Sequence, residues 1–203
     1  MGAELITKAA INGKPMKVKV MLETSEIIIR GEERLKIPFK GMKFLAAKNG
    51  ALSFSFGGKD ISIEVGDKAG EWLEKIKNPK SVTEKLGVKP GLRVSIINVN
   101  DKGFLGEVRS KTSDVRVGTA MKDSDLIFYE ANNPKETEKL SSLKKYLRPN
   151  GGIWVVSLKG KAATIKDVEI MKIGKKCGLV DNKVVGFSET HTALKFVIPL
   201  YRR

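Results

Sequence analysis

Lys85-Leu86-Gly87-Val88-Lys89-Pro90-Gly91-Leu92-Arg93-Val94-Ser95-Ile96-Ile97-Asn98-Val99 decides how the second half of the chain folds. Gly87 stops a short helix, Lys89-Pro90-Gly91 makes a turn, and a nearly continuous apolar run follows. An apolar run bounded by turn signals reads as a strand covered on both faces, which predicts a strand over Arg93–Val99. The alternation continues downstream, with strands expected at Asp114–Thr119, Asp125–Ala131 and Gly152–Leu158. Helices are expected over Lys135–Leu147, with Leu140, Leu143 and Leu147 on one face, and over Thr164–Cys177, with Thr164 and Asp167 as a capping box and Gly178 beyond the end. Val184–Phe187 and Leu194–Leu200 close the chain as strands, and Pro199 puts the last at an edge or ends it early. Strands alternating with helices argue a parallel sheet with helices on both faces.

The opening strand resembles the first strand of nucleotide- and methyl-donor-binding Rossmann-like domains. The turn after it departs from that pattern. Asn98-Val99-Asn100-Asp101-Lys102-Gly103-Phe104 lacks the glycine pair that lets backbone amides approach a ligand. Side chains are expected to fill the space, and Asp101 to disfavour phosphates. No acidic residue closes an identifiable second strand, and Gly103–Thr119 is short for a full helix plus strand, so no cofactor is expected. Leu147-Arg148-Pro149-Asn150-Gly151-Gly152 before Ile153-Trp154-Val155-Val156 resembles a segment of class I methyltransferases, as does Ser124-Asp125-Leu126-Ile127-Phe128. These segments, with Gly178-Leu179-Val180-Asp181-Asn182-Lys183-Val184 and Leu194-Lys195-Phe196-Val197, are together similar to a family of uncharacterised bacterial proteins. That resemblance implies a reduced Rossmann-like, methyltransferase-like α/β domain and a bacterial, cytosolic origin. It implies no reaction.

Residues 16–66 alternate with period two. Val18, Val20 and Leu22 interleave with Lys17 and Lys19; Leu52, Phe54 and Phe56 with Ser53 and Ser55; Ile61, Ile63 and Val65 with Ser62 and Glu64. One apolar and one wet face per strand is the mark of an antiparallel sheet with one buried side. Asn49-Gly50 suits a type I′ hairpin. About six short strands make a small barrel or sandwich, and a helix capped by Asp67 with Trp72, Leu73 and Ile76 on one face follows. Strands followed by a tryptophan-bearing helix resemble a pleckstrin-homology-like (PH-like) domain. Members of that family that bind phosphoinositides use basic residues at the first hairpin. Here that turn is read as Glu23-Thr24-Ser25-Glu26, which repels phosphate, so phosphoinositide is not the expected ligand even with Lys17, Lys19 and Arg30 beside it. Asn78-Pro79-Lys80 ends this unit, and Ser81-Val82-Thr83-Glu84 fits a capping box. Two domains follow: residues 1–79, an α+β PH-like barrel or sandwich with a capping helix, and residues 80–203, the reduced Rossmann-like α/β domain.

The chain has 203 residues and a net charge of +15, from 38 Lys+Arg against 23 Asp+Glu. The excess is spread along the chain and favours polyanions, nucleic acid among them. Its one cysteine, Cys177, excludes an intramolecular disulfide. Its one histidine, His191, reads as a turn residue between the last two strands. No apolar run reaches bilayer-spanning length and no secretory leader is read, so a cytoplasmic protein is expected. Asn98, Asn100, Asp101, Glu130, Asn132, Asn133 and Lys159 fall at the carboxyl ends of strands, where doubly wound sheets bind ligands, and form the candidate site. No catalytic residue and no metal ligand is assigned. The function read from these residues is a non-catalytic binding or regulatory module that contacts protein. The alternatives are a diverged S-adenosylmethionine-dependent methyltransferase and a binder of nucleic acid or anionic surfaces through net charge.

Overall fold

The computed structural model describes residues 3–202 and divides after Lys80 into two compact units. In the first, seven strands run antiparallel: β1 (Ala3–Ile11), β2 (Lys14–Leu22), β3 (Glu26–Arg30), β4 (Arg34–Pro38), β5 (Lys43–Lys48), β6 (Ala51–Phe56) and β7 (Lys59–Glu64). Their order is β4-β3-β2-β1-β7-β6-β5. β1 joins the two halves, pairing with β2 along its whole length and with β7 through Ala9–Ile11. Alternate residues form one core: Val18, Val20, Ile27, Ile29, Ile37, Leu52 and Ile63 are buried. Helix α1 (Ala69–Lys77) adds Trp72 and Ile76 to that core.

β1 is absent from the sequence-based expectation. Its inward positions are Ala3, Leu5, Thr7, Ala9 and Ile11, too small or polar in part to signal a strand. The first hairpin therefore turns at Asn12-Gly13, not at Glu23–Glu26. Asn12 and Gly13 (φ 49° and 79°) and Asn49 and Gly50 (φ 50° and 75°) are all left-handed, as type I′ hairpins require. The expected cap Asp67 lies inside a 3-10 turn, Gly66–Lys68, that leads into α1, and no side chain caps that helix.

The second unit begins with α2 (Val82–Lys85). Ser81 and Glu84 cap it reciprocally, and Gly87 (φ 81°) follows its end. Then come β8 (Val94–Ile97), α3 (Lys102–Lys111), β9 (Val115–Val117), β10 (Ser124–Glu130), α4 (Pro134–Thr137), α5 (Leu140–Leu143), β11 (Leu147–Leu158), α6 (Asp167–Lys176), β12 (Val180–Gly186) and β13 (His191–Val197). The sheet order is β12-β13-β11-β10-β8-β9. β9, β8, β10 and β11 are mutually parallel, and β13 runs antiparallel between β11 and β12. Helices cover both faces: Leu86, Phe104 and Val108 pack on one, Leu140, Ile170 and Leu179 on the other. This is a doubly wound α/β sheet whose order reverses between β8 and β10.

Two expected helices are shorter than their patterns. Lys135–Leu147 breaks into α4, α5 and a 3-10 turn at Lys144–Tyr146. Ser141 and Ser142 hydroxyls donate to the carbonyls of Glu138 and Lys139, competing with the helical ladder. α6 starts only at Asp167, because the Thr164 hydroxyl donates to the Asn132 carbonyl instead of capping the helix. No described helix is long and apolar enough to cross a membrane.

Candidate functional site

The carboxyl edge of the second sheet gathers the end of β8, the end of β10, the end of β11 and the start of β13. Its centre is a carboxylate and an imidazole. Glu130 closes β10, and His191 opens β13 through its register opposite Leu158 of β11. His191 Nε2 lies 3.8 Å from Glu130 Oε1, with the two side chains 22% and 25% exposed. That gap exceeds a hydrogen bond and lies within ion-pair distance. On its far side the ring meets Thr190 Oγ1 at 2.8 Å from Nδ1, with Ser188 Oγ at 3.4 Å. Ser188 Oγ itself accepts from the amides of Thr190 and His191, so it shapes the turn.

Asn132 builds the support. Its Nδ2 donates to Glu130 Oε1 (3.1 Å), and its Oδ1 accepts from the Leu158 amide (3.0 Å). One amide side chain thus fixes the carboxylate and ties the ends of β10 and β11 together. Lys159 donates through Nζ to the Ser188 carbonyl (2.7 Å) and through its amide to Thr190 (2.9 Å), locking the β12–β13 turn onto β11. An apolar wall flanks the pair. Phe187 stands 6.5 Å from the His191 ring, and Phe104 of α3 meets Phe187 and Phe128, each at 4.9 Å.

The structure therefore brings Glu130, Asn132 and Lys159 together and adds His191. Asn133 is not part of the group: its Oδ1 accepts from the Glu136 amide and caps α4. Asn98, Asn100 and Asp101 share the edge by topology, since β8 lies beside β10, and all three are exposed. Asp101 is turned back on its own helix, Oδ1 accepting from the Phe104 amide (2.9 Å). Asp101 thus caps α3. Asn98 takes φ 62°, the left-handed conformation that glycine usually supplies and asparagine tolerates. His191 was missed because a histidine beginning a strand carries no local signature. The lone histidine next to an antiparallel terminal pair is the one signal that points to it.

Perturbed groups lie beside this edge or away from it. Burial, then the Glu136 charge, raises the Tyr129 phenol above its usual range, and its hydroxyl donates to the Glu136 carbonyl. Burial also raises the Cys177 thiol and lowers the Lys85 ammonium. In the first unit, cations near the Asn12–Gly13 turn are paired: Lys14 with Glu32 (3.3 Å) and Lys59 with Glu33.

No protein-family model matches the chain, and no curated protein does. Among solved structures it is similar to a fibrillarin pre-rRNA processing protein of Methanococcus jannaschii, at 13% identity over 98% of this chain and 97% of that one, with a TM-score of 0.46. It is similar to a SAM-dependent methyltransferase from Aquifex aeolicus (14% identity, 62% and 93% of the two chains, TM-score 0.49). A TehB-like SAM-dependent methyltransferase from Corynebacterium glutamicum matches at 12% identity over 66% and 97%, with a TM-score of 0.42. Further matches are methyltransferases as well. The reading of a non-catalytic, protein-contacting module is corrected by these findings.

Doubly wound sheets take ligands at this edge, and its charge and backbone bear on which ligand fits. The turn after β8 keeps a left-handed residue at Asn98, and its charges are mixed: exposed Asp101 beside exposed Lys102 at the turn, and partly buried Glu130 with exposed Lys159 at the edge. β9 ends at Val117, and Gly118 and Thr119 follow it, with no carboxylate to receive ribose hydroxyls.

Proposed function

We propose that the second unit is a reduced S-adenosylmethionine-dependent methyltransferase acting on an oxygen or nitrogen nucleophile. One observation carries this reading: a parallel sheet reversing between β8 and β10, closed by an antiparallel β13, that collects Glu130 and His191 at the carboxyl edge. When bound, the donor supplies an electrophilic methyl group. The chain's task is to receive the proton that the nucleophile gives up. His191 Nε2 and Glu130 Oε1 stand 3.8 Å apart at the edge, each able to take that proton, and a positioned acid–base pair of this kind is the usual device. Asn132 holds the carboxylate, Thr190 steadies the imidazole from behind, and Phe104 and Phe187 exclude water along one side. The site is built for proton acceptance rather than for anchoring the ribose, which supports weak donor binding. Residues 1–79 are read as a PH-like barrel or sandwich with a capping helix; the seven antiparallel strands followed by α1, whose Trp72 enters their core, support that reading.

Calorimetry of the full chain with S-adenosylmethionine and S-adenosylhomocysteine tests the proposal. Dissociation constants of about 10–100 µM are expected, roughly −5.5 to −7 kcal/mol. Asn100→Lys, which brings a cation to the turn, is expected to weaken S-adenosylmethionine more than its uncharged product. No heat from either compound at millimolar concentration, with the protein folded by circular dichroism, rejects the reading.

A further inference from the structure

At the opposite, amino edge of the second sheet, two cations meet at one point. The 3-10 turn Lys144–Tyr146 enters β11, α6 ends before β12, and a 3-10 turn at Leu200–Arg202 follows β13. All three meet at Gly178. A Cβ placed there would stand 2.9 Å from Arg202 Nη1 and 3.0 Å from Lys144 Nζ, so two cationic heads crowd one point. Lys144 also donates to the Cys177 carbonyl at 2.7 Å. Among the described residues neither cation has a carboxylate within ion-pair distance. Lys145, Lys175 and Lys176 add exposed charge on the same elements. Arg148 is committed elsewhere, bonded to Asp125 at 2.9 Å.

The pull of a helix C-terminus on a cation accounts for Lys144 against the last carbonyls of α6. It does not account for a second cation drawn to the same point. Nor does it account for the aromatic rings beside them: Tyr201 is 81% exposed and Tyr146 42% exposed. Arg202 lies over the Tyr201 ring at 5.4 Å, holding a ring face at the surface. Like charges gathered without counter-charge are stabilised by a phosphate. Exposed rings beside a phosphate-binding cluster suit unpaired bases, which stack on aromatic faces regardless of sequence. A duplex hides those base faces. We propose that this edge is a binding site for a single-stranded nucleic acid, with a backbone phosphate between Lys144 and Arg202 and bases on Tyr146 and Tyr201. The site lies across the sheet from Glu130 and His191 and does not depend on methyl transfer.

Fluorescence anisotropy of the full chain tests it, using a labelled 12-nucleotide oligouridylate, a 12-base-pair duplex and vesicles of phosphatidylcholine with phosphatidylserine. Single strands are expected to bind in the micromolar range and more tightly than the duplex. Each phosphate contact contributes about −0.7 to the log–log salt slope for single strands. The double variant Lys144→Ala/Arg202→Ala is expected to lose at least tenfold in affinity and to flatten that slope by about 0.7, the share of the one phosphate the two cations hold. Tyr146→Ala/Tyr201→Ala is expected to weaken binding with the slope unchanged. A charge-matched control in the first unit, Lys8→Ala/Lys36→Ala, is expected to bind as the parent does. An equal loss in that control, no loss in Lys144→Ala/Arg202→Ala, equal binding of duplex, or binding to vesicles alone overturns the proposal.

Discussion

Trp154 shows how one side chain can join local signals into a fold. Its indole is buried in β11, and Nε1 donates to the Leu86 carbonyl at the end of α2, 2.9 Å away. A helix of only Val82–Lys85 has too few hydrogen bonds to persist alone. It is held by its Ser81 cap, by Leu86 in the core and by this bond. Trp154→Phe keeps an aromatic ring in the strand but strips the carbonyl of its donor. A buried acceptor left without a partner costs about 1–3 kcal/mol, and the smaller ring adds to that. Urea unfolding of Trp154→Phe is expected to show a loss of about 2–3 kcal/mol. A loss below about 0.5 kcal/mol means that the bond is replaced by water and that α2 does not depend on it.

Among the elements, β5 carries a bulge with a strained residue. Phe44 sits at φ 53° where the β5–β6 register shifts between Lys43 and Ala46, and its ring is 85% exposed. A bulky residue in the left-handed region costs roughly 1–2 kcal/mol, and its exposed ring recovers little of that by burial. Glycine takes this conformation freely but loses about 0.5–1 kcal/mol through chain entropy. Phe44→Gly is thus expected to raise the unfolding midpoint of the first unit, by about 0.5–1 kcal/mol. Phe44→Ala, which keeps the strained φ, is expected to change little. A destabilised glycine variant shows that the bulge is held by the ring. Irregularities like this one mark what sequence patterns do not carry. β2, β6 and β7 were legible because strict alternation forces one face inward, and Ser81-Val82-Thr83-Glu84 because a capping box is local chemistry. β1 was not legible, since Ala3, Thr7 and Ala9 dilute its apolar face. Glu130 and Asn132 could be placed at a strand's carboxyl end from sequence, because strand direction and length suffice for that. His191 could not, because its nearness to Glu130 exists only through the β11–β13 register of Leu158 opposite His191.

On the scale of the whole chain, the distribution of core decides what can fold alone. One cluster, from Ala9 to Ile76, belongs entirely to the residues up to Lys80. The other two, around Phe128 and Trp154 and around Ile153 and Phe196, belong entirely to those from Ser81 onward. The joint supports the division, because Ser81 starts the second unit with its own cap instead of continuing α1. A unit that owns its core and caps its first helix has the means to fold without its neighbour. Fragments 1–80 and 81–203 are each expected to unfold in one cooperative urea transition, with the smaller fragment the less stable because a shorter chain buries a smaller share of its surface. The full chain is then expected to lose far-ultraviolet dichroism in two steps at the fragments' own midpoints. A fragment 81–203 without a cooperative transition means that the doubly wound sheet needs the first unit in order to form. The three clusters would then not be independent, and the boundary at Lys80 would separate compact regions without separating folding units.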